Sequence, residues 1–396
     1  MFGWEWPPYN SGGLGTACYG LTKSMAKKGA NITFALPKKI NVGDDFLKLI
    51  FGDSEVIYSE SQLYSAYSSP SYYVSCSNKI MPKKNPSLSR NLMEEVNNYA
   101  DFAEQIAEIE DFDVIHIHDW LTAKAGIRAK KVSGKPLVMH VHATEFDRTG
   151  GNNCNQVVYN IEKLGMQEAD IVITVSDFIK RKVVEHYGIN SEKIRVVHNG
   201  VEFDSYELEK AHALKKDNKI VLFLGRLTLQ KGPDYFIYAA KKVLEKIDNV
   251  IFVIAGSGDM EKALIEKTAE MGISDQVLFT GFLRGNDLKK AYQMSDVYVM
   301  PSVSEPFGIT PLESINCQTP VILSKQSGVS EILTHCLKVD FWDIDELANK
   351  IISVLNYPEL YSCLRENGFR EVNKISWDTP AEKCINIYNE LVSKKL

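Results

Sequence analysis

The stretch Glu305-Pro-Phe-Gly-Ile-Thr-Pro-Leu-Glu313 holds two carboxylates separated by seven residues, with a glycine and two prolines around and between them. The first carboxylate falls in a turn and the second about two residues inside a helix. Pro311 suits the first helical turn, where its missing N–H costs nothing. The backbone amides of Gly308, Ile309 and Thr310 then sit at a helix N-terminus, a ready place for phosphate. Acid, phosphate cradle and acid within nine residues read as a sugar-nucleotide pocket. One carboxylate would meet the sugar and the other the ribose hydroxyls.

Outward from that stretch, short apolar strands alternate with amphipathic helices. Candidate strands are Asn31–Leu36, Val114–Ile117, Leu137–Val141, Ile171–Val175 and Ile194–Val197, then Ile220–Phe223, Val250–Ile254, Val277–Thr280, Val297–Met300 and Val321–Leu323. Strands this apolar are buried on both faces, which argues for parallel sheets flanked by helices. Crossover helices include Pro233–Ile247 and Met260–Met271. A chain of 396 residues exceeds what one core usually supports, so two doubly wound α/β domains are expected. The boundary is placed after His198-Asn199-Gly200-Val201, giving domains 1–201 and 202–376. A final amphipathic helix covers 377–396. Ligands of such sheets bind beyond the carboxyl ends of the strands, so the cleft between two domains is the expected site. The Ser- and Tyr-rich segment Tyr58–Ser77 has no clean period and receives no chemistry.

Composition narrows the classes. Net charge is −6, and the charges of the first 200 residues nearly balance, so no nucleic-acid surface is expected. No apolar run approaches a membrane span of about 20 residues. Seven cysteines without a CxxC pattern suit scattered reduced thiols and a cytoplasmic setting. Contact with a membrane surface is left open.

Gly12-Gly13-Leu14-Gly15 precedes the helical run Thr16–Lys28, and glycines in such a turn let amides approach a phosphate. Almost no strand precedes it: either the first strand is very short or the chain begins several residues late. Gly225-Arg226-Leu-Thr-Leu-Gln-Lys231-Gly232 follows a strand, and its two cations suit a diphosphate, with Arg binding in a fork and Lys as a point charge. The alternative is a solvated basic loop. His140 and His142 lie on one side of their strand, with His142 nearer the carboxyl end; a core histidine is the bland reading. His116 and His118-Asp119-Trp120 repeat the pattern. These four histidines suggest a metal site only weakly, because their spacing is not that of ligands on a helix, and Asp111-Phe-Asp113 precedes its strand at the wrong end. No metal is expected. Asn199-Gly200 suits a hinge needing positive φ, and Ser176-Asp177 reads as a helix N-cap.

Taken together, the chain resembles the retaining GT-B glycosyltransferases of the large family-4 group that borders the glycogen synthases. The resemblance rests on Gly12-Gly13-Leu14-Gly15, His118-Asp119-Trp120, Val141-His142-Ala143-Thr144, Val175-Ser176, Asn199-Gly200-Val201, Gly225-Arg226…Lys231-Gly232 and Glu305…Glu313, in the family's order. It implies a nucleotide held by the second Rossmann-like domain, an acceptor by the first, and a last helix that crosses back. Arg226 and Lys231 would hold the diphosphate and stabilise its charge as it leaves. Glu305 would contact the sugar, Glu313 the ribose and Gly308, Ile309 and Thr310 the phosphate. His142 would hydrogen-bond the sugar near the reacting carbon, Gly13 would lend an amide, and Asp119 lies on the acceptor side. The resemblance also implies a UDP- or ADP-glucose donor, no separate cofactor, and retention by front-face attack. The chain departs from many glycogen synthases at Asn10, where they carry Lys, and at Glu145-Phe146-Asp147-Arg148 after the matching His142-Ala143-Thr144. Competing expectations are a small-molecule, lipid-linked or surface-polysaccharide acceptor, a silent sugar-nucleotide binder, and a dinucleotide oxidoreductase, against which the missing GxGxxG counts.

Overall fold

The structure is a computed structural model that describes residues 1–9, 13–42, 45–54, 92–151, 154–203 and 218–393. Asn10, Gly12, the segment Tyr58–Ser77 and most of the polar stretch Glu202–Lys219 lie outside the described residues. The chain divides into two compact units, Met1–Gly200 with Ser376–Leu396, and Val201–Ile375.

In the first unit the strands are β1 (Thr33–Lys38), β2 (Lys48–Ser54), β3 (Ile115–His118), β4 (Leu137–Val141), β5 (Ile171–Thr174) and β6 (Ile194–Val196), all paired in parallel. Phe2 bridges to Ala35 on one side and to Ile117 on the other, so a single residue joins the β1–β2 pair to β3. This residue acts as the very short first strand. From it the chain runs to β1 and β2 on one side and then returns to build β3 to β6 on the other. That reversal of direction makes a topological switch point between Phe2 and β3.

The second unit holds β7 (Lys219–Leu224), β8 (Val250–Ala255), β9 (Val277–Gly281), β10 (Val297–Met300), β11 (Val321–Ser324) and β12 (Leu337–Val339) in the order β12-β11-β10-β7-β8-β9, again all parallel. Here β7 leads outward to β8 and β9, and the chain then crosses to β10 on the other side. The switch point lies between β7 and β10. β2 and β12 are not marked by the sequence pattern, since one mixes Lys, Gly and Asp with apolar residues and the other has only three residues.

Each unit has its own core. The second is built on Val221, Phe223, Phe236, Phe252, Val299 and Ile351, all at most 2% exposed. In the first, Trp6, Leu21, Phe34 and Ile173 pack with Trp377, Ala381 and Cys384 of the last helix, Asp378–Ser393. Gly20 makes this closeness possible: a Cβ there would lie 2.2 Å from Trp377 Nε1. Ser24 Oγ donates to Asp378 at 2.7 Å and Lys28 pairs with Glu382 at 2.6 Å along the same seam. Gly200 is explained by the same segment. Its φ is not positive, contrary to the hinge expectation; instead a Cβ would stand 2.5 Å from the Ser376 carbonyl. Among the described residues, no helix is long and apolar enough to cross a membrane.

Candidate active site

Both cationic and acidic segments of the second unit leave the sheet at its switch point. Arg226 and Lys231 follow β7, and Glu305 to Glu313 follow β10, its immediate neighbour. The two loops are tied together by side chains. Lys231 Nζ lies 2.5 Å from Glu305 Oε2, and Ser302 Oγ donates to the same oxygen at 3.4 Å. Gln230 links them further: its Nε2 donates to the Ser304 carbonyl at 3.0 Å, its Oε1 accepts from Arg226 Nη2 at 3.1 Å, and its own carbonyl accepts the Val303 amide at 2.9 Å. Gln230 is 3% exposed, so these bonds are made away from water.

Glu305 is buried, and a parallel bridge to Ser327 fixes its backbone. Gly308 follows with φ 99°, a left-handed conformation that favours glycine; a Cβ there would also crowd Glu305 Cγ at 3.1 Å. The helix Thr310–Asn316 begins two residues later, with Pro311 in its first turn. Thr310 Oγ1 meets the Tyr298 hydroxyl at 2.9 Å, while that hydroxyl contacts the Leu224 carbonyl at 3.2 Å. Glu313 accepts from the Tyr292 hydroxyl at 3.0 Å. Burial raises the Glu313 carboxyl above its ordinary range, and the Tyr292 bond pulls the other way. Thus Arg226, Lys231, Glu305, Gly308, Ile309, Thr310 and Glu313 share one end of one sheet.

In the first unit, Gly13 is exposed at the start of the helix Gly13–Lys27. His116, His118, His140 and His142 form a buried two-by-two array on neighbouring strands. His140 and His142 stack with centroids 4.3 Å apart, as do His116 and His118 at 4.5 Å. The strands are held in a register that sets His118 opposite His140. Diagonal nitrogen contacts follow: His118 Nδ1 to His142 Nε2 at 3.0 Å, and His116 Nε2 to His140 Nδ1 at 3.3 Å. His116 Nδ1 also meets the Tyr388 hydroxyl. Burial holds His116, His118 and His140 well below the usual imidazole pKa and lowers His142 to about 3, so all four are neutral near pH 7.

Cys18, His118 and His142, and likewise His116, His118 and His140, have ligand atoms within 4.8 Å of one another. Ring geometry favours hydrogen bonds over an ion. For His118 and His142 the centroid separation less the nitrogen separation is 5.2 − 3.0 = 2.2 Å, room for two half-rings set nearly end to end. Lone pairs converging on one ion would bend the two rings toward a common apex.

Asp119 sits at φ 59°, an uncommon conformation for a residue with a side chain. Its Oδ1 accepts the amides of His142 at 2.6 Å and Ala143 at 3.2 Å. Burial pushes its carboxyl up to about 7, against the pull of Arg148 and those two amides. With 1% exposure, the side chain holds the loop after β4 through those two amides. The same loop is anchored by Arg148, which binds Glu145 at 3.1 Å, Glu162, and the Ala143 carbonyl at 3.1 Å.

Sequence reasoning missed Gln230, Ser302, Tyr292 and Tyr298. Gln230 lies inside the quoted Gly225…Gly232 segment, and its position between two cations was the available signal.

The comparisons with known proteins follow these two units. Residues 11–205 match the family described as Glycosyltransferase Family 4, and residues 204–371 match Glycosyl transferases group 1. An uncharacterised glycosyltransferase of Methanocaldococcus jannaschii is 32% identical over 98% of this chain and 97% of its own length. A glycogen synthase of Mycobacterium tuberculosis is 27% identical, covering 70% of this chain and 68% of that protein. Among solved structures, the Anabaena protein HepE in complex with UDP and glucose aligns over 98% of both chains, with TM-score 0.70 and 17% identity. Two parallel Rossmann-like sheets, each carrying its polar residues at a switch point, and a relative matched from end to end lead to one assignment: the chain belongs to the GT-B glycosyltransferases of the family-4 group.

Proposed function

We propose that the protein is a retaining glucosyltransferase that moves glucose from UDP- or ADP-glucose to an α-glucan. The observation that carries this reading is the junction of Lys231 and Glu305 at the β7–β10 switch point, with Arg226 beside it through Gln230. Breaking a sugar–phosphate bond builds negative charge on the departing nucleotide, and fixed cations lower that barrier. Lys231 and Arg226 stabilise the diphosphate as it leaves. Glu305 binds a sugar hydroxyl, Glu313 the ribose, and the Gly308–Thr310 amides the phosphate. His142 hydrogen-bonds the transferred sugar, and the Gly13 amide assists at the phosphate. No separate cofactor is needed, since two side-chain cations do the work a metal does elsewhere. The UDP- and glucose-bound structural neighbour supports the donor, and the glycogen synthase relative supports the acceptor. Buried free thiols such as Cys18 and Cys384 fit a reducing, cytoplasmic setting.

The test is a screen of UDP-, ADP- and GDP-sugars for hydrolysis and for transfer to glycogen, maltooligosaccharides and a panel of small acceptors. Nucleotide release with glucan elongation is the expected result. Release without elongation moves the acceptor to a small molecule, a lipid-linked sugar or a surface polysaccharide. No release with any donor leaves a sugar-nucleotide binder without chemistry.

A further inference from the structure

We propose that His118 is a positioning residue that fixes the tautomer and ring orientation of His142, so that His142 carries its proton on Nδ1. The proposal rests on the reading of His142 as a sugar-binding group, and its first readout does not depend on that reading.

The 3.0 Å contact between His118 Nδ1 and His142 Nε2 needs one proton between two neutral rings. Two arrangements are possible. In the first, His118 donates from Nδ1, and its Nε2 keeps a lone pair. In the second, His142 donates from Nε2, and His118 must carry its proton on Nε2. Among the described residues, that Nε2 is sealed from solvent and has no hydrogen-bond partner. A buried N–H without an acceptor is rarer than a buried acceptor without a donor. The first arrangement is therefore favoured, and it leaves the proton of His142 on Nδ1. Of the four rings, His142 is the one that retains exposure, at 7%, while the others have at most 1%.

Three further contacts make the ring rigid. Asp119 Oδ1 holds the amides of His142 and Ala143, His140 stacks on the ring at 4.3 Å, and Arg148 holds the Ala143 carbonyl. The sugar then meets a neutral donor whose direction is already set, a condition under which small displacements matter greatly. The charged and titratable groups facing the pair are Cys18, His116, His140, Asp119 and the amino group of Met1, with Arg148 beyond Asp119. Burial lowers the Met1 amine to about 5, so near pH 7 it too is neutral and adds no charge against the rings.

The experiment is long-range ¹H–¹⁵N correlation spectroscopy of histidine-labelled protein, for the wild type, His118→Asn and His118→Leu, alongside donor-turnover kinetics. In the wild type, His142 is expected in the Nδ1–H form. Asn retains a donor near the position of Nδ1 and is expected to keep that form. Leu is expected to give mixed tautomers and to lower kcat by about 10- to 100-fold with little change in donor KM. An Nε2–H form in the wild type overturns the proposal even if the Leu variant fails to fold. So does an unchanged tautomer in a folded His118→Leu protein. A tautomer that shifts while turnover stays normal upholds the positioning and removes the sugar-binding role of His142 instead.

Discussion

Lys231 and Glu305, 74 residues apart in the chain, meet at 2.5 Å where β7 and β10 end side by side. The pair joins the two groups expected to face opposite parts of one donor molecule. Holding Lys231 against a buried carboxylate means that much of its side-chain entropy, up to about 2 kcal/mol, is lost before any ligand arrives. On the proposed reading, a diphosphate entering the site meets a cation already in place. The Lys231 and Ser302 contacts of Glu305 both use Oε2, so on the proposed reading Oε1 is the oxygen that meets the sugar.

Removal of Lys231 therefore acts in two ways that can be separated. Lys231→Ala is expected to lower kcat about 10²- to 10³-fold, the usual loss when one group that stabilises developing charge is removed. It also leaves a buried anion without its partner, at a cost of about 1–3 kcal/mol of stability. The double variant Lys231→Met, Glu305→Gln is expected to regain the melting temperature without regaining turnover. Steady-state kinetics and calorimetry on the same preparations check both. Near-normal turnover in Lys231→Ala would remove the assigned role.

Glu313 is expected to act on binding more than on rate. A hydrogen bond to a charged group contributes about 1.5–3 kcal/mol, so Glu313→Ala should weaken UDP or ADP binding roughly 10- to 100-fold while kcat changes less. Tyr292→Phe, which removes the hydroxyl bonded to Glu313, should show a smaller effect in the same direction. Isothermal titration with the free nucleotide reads this directly, and unchanged affinity in Glu313→Ala contradicts the ribose contact.

On the proposed reading, in which Arg226 and Lys231 supply the positive charge beside the diphosphate, chelation is expected to leave activity intact. Transfer assayed after dialysis against EDTA checks this. A loss that Mg²⁺ restores would move the chemistry to a bound ion.

Where the site was legible, the chain encodes it locally. A strand followed by Gly225-Arg226 and a helix opened by Pro311 are patterns of a few residues, so Arg226, Lys231, Glu305 and Glu313 could be read without a partner in view. Gln230, Ser302 and Tyr292 could not. Their meaning arises from contacts with residues that other strands bring near, and no local period announces them. The histidines lie between these cases. Alternation along β3 and β4 shows that His116 and His118, and His140 and His142, share a side. Only the register of the two strands, with His118 opposite His140, creates the diagonal bond from His118 to His142. Asp119 belongs with them: its positive φ turns it back onto two amides that the neighbouring strand brings near, a contact that nothing local in the sequence announces.

The buried titratable groups predict how stability responds to acid. The four imidazoles are neutral in the fold because burial lowers their pKa, whereas in the unfolded chain each takes a proton below its ordinary value of 6.5. Their contribution to stability is present above pH 6.5 and is lost as pH falls. Asp119 works in the opposite sense. Its folded pKa of about 7 lies above the ordinary 3.8, so between these values the fold keeps a proton that the unfolded chain has released. Below pH 6.5 the four imidazoles take up protons on unfolding while Asp119 releases one, so uptake dominates. Each proton corresponds to a slope of at most about 1.4 kcal/mol per pH unit. Urea unfolding between pH 6.5 and 5 is thus expected to show stability falling steeply as pH drops. Asp119→Asn keeps an oxygen for the two amides but cannot titrate. Its stability relative to the wild type should rise as pH increases from about 4 to about 7 and then stay level. A difference that does not vary with pH would mean that the Asp119 carboxylate is ionised throughout.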